Sequence, residues 1–260
     1  MPMEITLHTA SMLFFAGIGG GLLTSLVGGA AVITYPALLA AGLPPQTATI
    51  CNLVSTFPGV FLAAMSDRGQ LPKLDRAFAG MVVASMLGAV LGAGLLLATP
   101  QRLFAVLVPL LLGFATVLFA FAKPIGEWAQ ARAARKGRAI DFSVTNLKVL
   151  LPVSVYGGYF GAGVGVLILG VMSVATRGDY RSANVAKNLV GGLNTFAAAA
   201  VFIVKGAVVW MPALIMMAGS IIGGQIGAAL AKVAPRHVMR IAVTVIGALL
   251  TVYFAWEYWF

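Results

Sequence analysis

Residues 16–42 read AGIGGGLLTSLVGGAAVITYPALLAAG, two apolar arms punctuated by Gly19-Gly20-Gly21, by Gly28-Gly29 and by Pro36. As one continuous helix from Ser11 to Ala41 the stretch would span about 46 Å, well beyond the ~30 Å hydrocarbon core of a bilayer. As two complete crossings it would be too short, because each needs about 20 residues. It therefore predicts a pair of half-helices that meet inside a membrane, with non-helical backbone at Val27 to Ala30. Such a break is tolerated only where protein or a wet cavity surrounds it, since lipid offers no partner to a free N–H or C=O.

The rest of the composition agrees with a membrane setting. Of 260 residues, 60% are hydrophobic and only 9% charged, and the mean hydropathy is +0.99. A soluble domain would need polar surface that is not present. The apolar segments are continuous rather than alternating, which argues against a β-barrel. Residues 1–9 carry no basic n-region, so no cleavable signal peptide is expected. The formal charge of +10 does not point to nucleic acid, because the basic residues sit in short connections between apolar stretches. Cys51 is the only cysteine and reads as a small buried hydrophobe.

In chain order, Gly42 to Gln46 is a turn. Crossings follow at Thr47 to Met65, Leu74 to Ala98 and Gln101 to Ala122. Lys123 to Lys148 is the longest polar stretch, with six basic residues against Glu127 and Asp141, a bias that places it in the cytoplasm. The order then repeats. Leu147 to Thr176 is again too long for one crossing and too short for two, and its centre, residues 156–165, reads YGGYFGAGVG. Crossings follow at Ser182 to Val204, Ala207 to Ala231 and Arg236 to Tyr258.

The expected fold is thus an all-α polytopic membrane protein of two inverted repeats, each a glycine-broken helix pair followed by three crossing helices. The units are a first repeat at 1–122, a basic cytoplasmic loop at 123–146 and a second, inverted repeat at 147–260. With each broken pair beginning and ending on one side, the positive-inside bias puts Ser66 to Lys73 and the ends near Arg177, Arg181, Lys232, Arg236 and Arg240 inside. Both termini then fall outside, in the periplasm. Inverted halves with broken helices meeting near the midplane are a common plan of secondary transporters.

Polar groups at membrane depth are costly and mark ligand paths. Asn52, Ser55 and Thr56 in the first half answer to Lys187, Asn188, Asn194 and Thr195 in the second. Asn184, Lys187 and Asn188 share one helix face by their i, i+3, i+4 spacing. Lys187 either attracts an anion or returns its ammonium to the membrane surface along its own stem. The breaks at Gly28-Gly29 and at Gly161 to Gly165 can offer half-helix amides to an anion without any side chain. The seven acidic residues all lie in loops or near segment ends, which argues against a midplane carboxylate relay or a site for a bare cation. No nucleophile and base pair stands at depth, so an enzyme is not expected, nor any metal or cofactor.

The element GIGGGLLTSLVGGA with Pro36 and GLPP after it, the later YGGYFGAGVG, the polar stretch RSANVAKNLV and the central basic loop together resemble the TauE/SafE family of membrane transporters, the sulfite or sulfonate exporter-like permeases. The resemblance covers nearly the whole chain. It implies transport of a small sulfur-containing anion, such as sulfite, sulfoacetate or a related organosulfonate, across a bacterial inner membrane, with export by alternating access as the expected mode. An anion channel, or an importer of another small organic anion, is the alternative. Matching the family elements residue by residue carries over Gly28, Gly29, Asn52, Gly161, Gly163 and Asn188 as substrate-binding positions. The physical argument adds Lys187 and Ser55. Where the family's first element usually has a third glycine, this chain has Ala30. The expected partners are the anion, the lipid bilayer, protons as coupling ion and a second copy in a homodimer.

Overall fold

Apolar segments flanked by proline, glycine and short polar turns leave the backbone one way to satisfy its hydrogen bonds in lipid, which is to coil. The computed structural model describes residues 5–73, 75–121, 124, 127–128, 131, 144–176, 179–231 and 236–259. Among these, ten α-helices make up the frame: α1 (Leu7–Leu26), α2 (Ala31–Ala40), α3 (Pro45–Met65), α4 (Arg76–Ala98), α5 (Gln101–Ala120), α6 (Val144–Tyr159), α7 (Val164–Ala175), α8 (Tyr180–Val204), α9 (Trp210–Leu230) and α10 (Arg236–Trp259). Seven of them, α1, α3, α4, α5, α8, α9 and α10, are long and apolar enough to cross a membrane. The protein is an all-α polytopic membrane protein.

Local chemistry sets the helix starts. Pro44 and Pro45 open α3, where a missing N–H costs nothing. The Asp75 carboxylate accepts from Phe78 N at 2.7 Å and caps α4. Asp179 does the same for α8, accepting from Arg181 N and Ser182 N.

The first break falls between Leu26 and Ala31, and the second between Tyr159 and Val164. The two arms of the first pair are unequal, however. At 20 residues α1 is long enough to cross, whereas α2 has only 10 and rises about 15 Å. Both α1 and α6 end in the same way: Gly28 N–H reaches back to Leu23 O at 3.1 Å, and Gly161 N–H to Tyr156 O at 3.2 Å. Both glycines have positive φ, +88° and +78°, a conformation that side chains with a Cβ resist.

The helices of the two halves are interleaved. Gly219, Gly223 and Gly227 of α9 lie against α1 at Phe14, Ile18 and Leu22 in that order, so the two helices run in the same direction. Gly88 and Gly92 of α4 lie against α6 at Leu151 and Val155, again in the same direction. Small residues let these backbones approach closely. At the centre α3 and α8 run antiparallel: the rings of Phe57 and Phe196 pack at a tilt with centroids 5.6 Å apart, and Phe61 backs onto Gly192. These two are the most enclosed helices, while α10 and the outward faces of α4 and α9 expose large apolar side chains such as Leu91, Ile222, Leu249 and Trp256, as a lipid-facing surface does.

Loops gather at two ends. At one, Arg181 pairs with Asp67, Ser182 bonds Gln70 and Ser66 bonds Gln225. At the other, Gln46 Nε2 donates to Leu96 O and Thr99 O, and Cys51 Sγ reaches Val209 O. The expected basic charges at Lys123, Arg132, Arg135, Lys136, Arg138, Arg177 and Lys232, and the side chains of Arg236 and Arg240, lie outside the described residues.

Candidate functional site

The two breaks touch. A Cβ built on Gly28 would lie 2.7 Å from Gly165 Cα, and one built on Gly165 would lie 2.5 Å from Gly28 Cα. Only glycine backbone allows this crossing, because such contacts are far inside van der Waals distance. Beside it lies a cavity of about 40 Å³, room for a few waters. Its wall is made from both breaks (Gly28, Ala30, Ala31; Gly161, Val164, Gly165) and from the seam between α3 and α8 (Asn52, Thr56, Val60; Lys187, Asn188, Gly191, Thr195), with Thr24 and Leu53. No side-chain cap closes the start of α2; Ala30 and Ala31 line the cavity there, and the next N–H groups turn back to the break, Val32 donating to Gly29 O and Ile33 and Thr34 to Ala30 O.

Lys187 is 2% exposed. Its Nζ donates to Thr24 O at 2.9 Å and to Ser25 O at 3.3 Å, so the ammonium sits on the carbonyls that end α1 rather than at the membrane surface. A cation there complements the negative end of the helix dipole. Ser25 O also accepts from Asn184 Nδ2 at 3.1 Å and Asn188 Nδ2 at 3.4 Å. One carbonyl thus gathers three donors from one face of α8. At the other end of the seam, Thr34 Oγ1 stands 2.5 Å from Asn52 Oδ1 and 2.8 Å from Ala30 O, which leaves the Nδ2 end of Asn52 for the cavity. The antiparallel register of α3 and α8 sets Asn52 and Asn188 toward opposite ends of this seam.

The sequence model for the sulfite exporter TauE/SafE family matches residues 13–254. The chain belongs to the TauE/SafE family. This TauE/SafE protein is accordingly a membrane transporter and not an enzyme. It is similar to a probable membrane transporter protein, ORF9, of a Sinorhizobium species, at 29% identity over 252 residues, covering 96% of this chain and 93% of that one. A probable membrane transporter protein of Haemophilus influenzae is 26% identical over 252 residues, covering 96% and 95%. The probable membrane transporter protein YfcA of Escherichia coli is 22% identical over 242 residues, covering 92% and 87%. No solved structure matches. These relatives agree with a bacterial multi-pass membrane protein.

Of the positions expected to bind substrate, Gly28, Asn52, Gly161, Lys187 and Asn188 all line this cavity of the TauE/SafE chain. Gly29, Ser55 and Gly163 do not. Gly29 backs onto Phe119 and Val243, and Gly163 onto Ala115, so both turn toward α5, Gly29 toward α10 as well. Ser55 is fully buried and bonds its own helix at Asn52 O, 3.0 Å away. Asn194, grouped with Asn188 from sequence, instead joins α4 and α6 by donating to Ser85 O and Oγ and to Ser154 O. Gly165, Thr56, Gly191 and Thr195 complete the wall. The last three were legible as helical neighbours, since Thr56 is one turn beyond Asn52, and Gly191 and Thr195 continue the face of Lys187 and Asn188. Among the described residues no three of His, Cys, Asp and Glu gather as a metal would require.

Proposed function

We propose that this protein carries a small sulfur-containing anion, sulfite, sulfoacetate or a related organosulfonate, out of the cell by alternating access between two inverted halves. The observation that carries the proposal is the crossing of two broken helix pairs beside a cavity lined by the glycine-rich backbone of both breaks, by the carboxamides of Asn52 and Asn188 and by the Lys187 side chain, with no carboxylate among its lining residues. Such an inventory attracts negative charge and repels a bare cation. The family description, which names sulfite, supports the sulfur oxyanion class.

The inverted arrangement is supported by the matched endings of α1 and α6 and by the helix directions. α1 runs with α9, α6 with α4, and α3 against α8, a pairing in which each half lends its first helix to the other half's later one. A cavity that the two broken pairs and the seam of α3 and α8 narrow to about 40 Å³ favours a gated carrier over a continuous open pore. In the proposed orientation the Asp67–Arg181 end and the central loop face the cytoplasm and both termini face the periplasm. Protons serve as the coupling ion, carried by the substrate in the absence of a lining carboxylate, and the carrier works as a homodimer.

Purified protein in liposomes, offered sulfite, sulfoacetate, taurine and thiosulfate under an imposed pH gradient, tests this. Counterflow of one of the sulfur oxyanions is the expected result. If none moves or binds, the anion assignment is wrong, and a steady current without counterflow would replace the carrier by a channel.

A further inference from the structure

A second cavity, of about 210 Å³, opens at the Asp67–Arg181 end and is lined by Asp67, Tyr180, Arg181, Asn184 and Asn188 with small residues of α3 and α9. Asn188 also lines the substrate cavity, so the two spaces meet at one side chain. Resting on the proposed function, we infer that Arg181 is a mouth site for the transported oxyanion, with the Asp67 carboxylate as the resident counter-ion that the anion displaces before moving inward.

The geometry suits exchange. Arg181 Nε lies 2.6 Å from Asp67 Oδ2 and Nη2 lies 2.9 Å from Oδ1. This two-pronged arrangement is the one a guanidinium also offers to a sulfur or phosphorus oxyanion. The two side chains are 52% and 19% exposed, and ion pairs so open to solvent are weak. The segment carrying Asp67 does not depend on that pair alone: Ser66 Oγ also meets the Gln225 carboxamide, and Ser182 Oγ the Gln70 carboxamide, within hydrogen-bond distance. The frame can therefore hold while the pair opens. From Arg181 the polar groups continue inward along a single face of α8, at Asn184 and then at Lys187 and Asn188, one turn per step. The Asn188 contact with Ser25 O is long, 3.4 Å, and long hydrogen bonds are weak, so its amide can be given up to a passing anion. Among the described residues Asp179 is a further charged group close to the mouth, and its carboxylate is engaged by Ser182 and by the amides that open α8.

The test is the sulfite concentration dependence of transport in liposomes, measured separately from each face. With its competing carboxylate removed, Asp67→Asn should lower the half-saturating sulfite concentration by about threefold from the face bearing residues 66–70 and leave the opposite face unchanged. Arg181→Gln should raise it by a similar factor from that face. A purely structural pair predicts no gain in apparent affinity from Asp67→Asn, so an unchanged or raised value in a variant that still transports overturns the mouth site. Absence of transport of any sulfur oxyanion by the unaltered chain would instead overturn the proposed function, and this inference with it.

Discussion

Gly28 and Gly165 meet backbone to backbone, each where a Cβ would collide with the other's Cα. They belong to different halves of the chain and bring the two breaks into one place. Replacing either by alanine should separate the breaks. Gly28→Ala carries the added strain of φ +88°, a conformation worth of order 1–3 kcal/mol in a residue with a Cβ. Both variants should lose about tenfold or more of transport. Gly94→Ala, where nothing stands within 4 Å, should transport normally and melt at or slightly above the parent temperature. Thermal unfolding in detergent and liposome flux check all three.

Lys187→Met keeps the length and apolar body of the side chain and removes the charge. Anion binding should weaken by roughly threefold or more, and stability should fall by about 1–3 kcal/mol as Thr24 O loses its buried donor. Unchanged affinity, measured by calorimetry or flux competition, would assign Lys187 to the end of α1 alone.

The path from sequence to this site was legible where the signal was local. A stretch too long for one crossing locates a break, and two such stretches locate two; both lie within a residue or two of the expected positions. What a break does not reveal is rotation. Successive residues in a turn point in different directions, so of Gly28 and Gly29 one faces the crossing and the other faces Phe119. For the same reason Gly165, not Gly163, makes the contact with Gly28. Lys187 was visible as a buried charge, but its partners Thr24 and Ser25 are main-chain oxygens, to which side-chain identity gives no clue.

Substitutions at Asn188 and Asn194 can tell the proposed binding role of the first from the scaffolding role of the second. Asn194 is fully buried and ties α4, α6 and α8 together through Ser85 and Ser154. Asn194→Leu should therefore cost about 2–4 kcal/mol, a loss of buried hydrogen bonds with steric strain added. Asn188→Leu should melt close to the parent and lose about tenfold in transport. The reverse pattern would exchange the two roles.

Asp179 offers a pH test. Hydrogen bonds from the Ser182 hydroxyl first, then from the Ser182 and Arg181 amides, hold its carboxyl below the usual carboxylate range. A depressed folded value means that its contribution is present above the unfolded pKa of about 4 and is lost as pH falls through the folded value. Asp179→Ala should remove about 1 kcal/mol of α8 capping at pH 7, and parent and variant should converge as pH drops below about 4. A gap in melting temperature that persists into acid would reject the capping role.

The interleaving of helices also bears on how the chain is made. α1 leaves the ribosome about 180 residues before α9, the helix against which its glycine-faced side packs. α6 in turn docks onto α4, which has been waiting in the bilayer since the first half was synthesised. Neither half can complete its own packing, so assembly within the membrane ends only when the last helices have been inserted. Half a chain is therefore a biosynthetic intermediate, and two halves supplied as separate polypeptides should find each other, because each carries the other's missing partner.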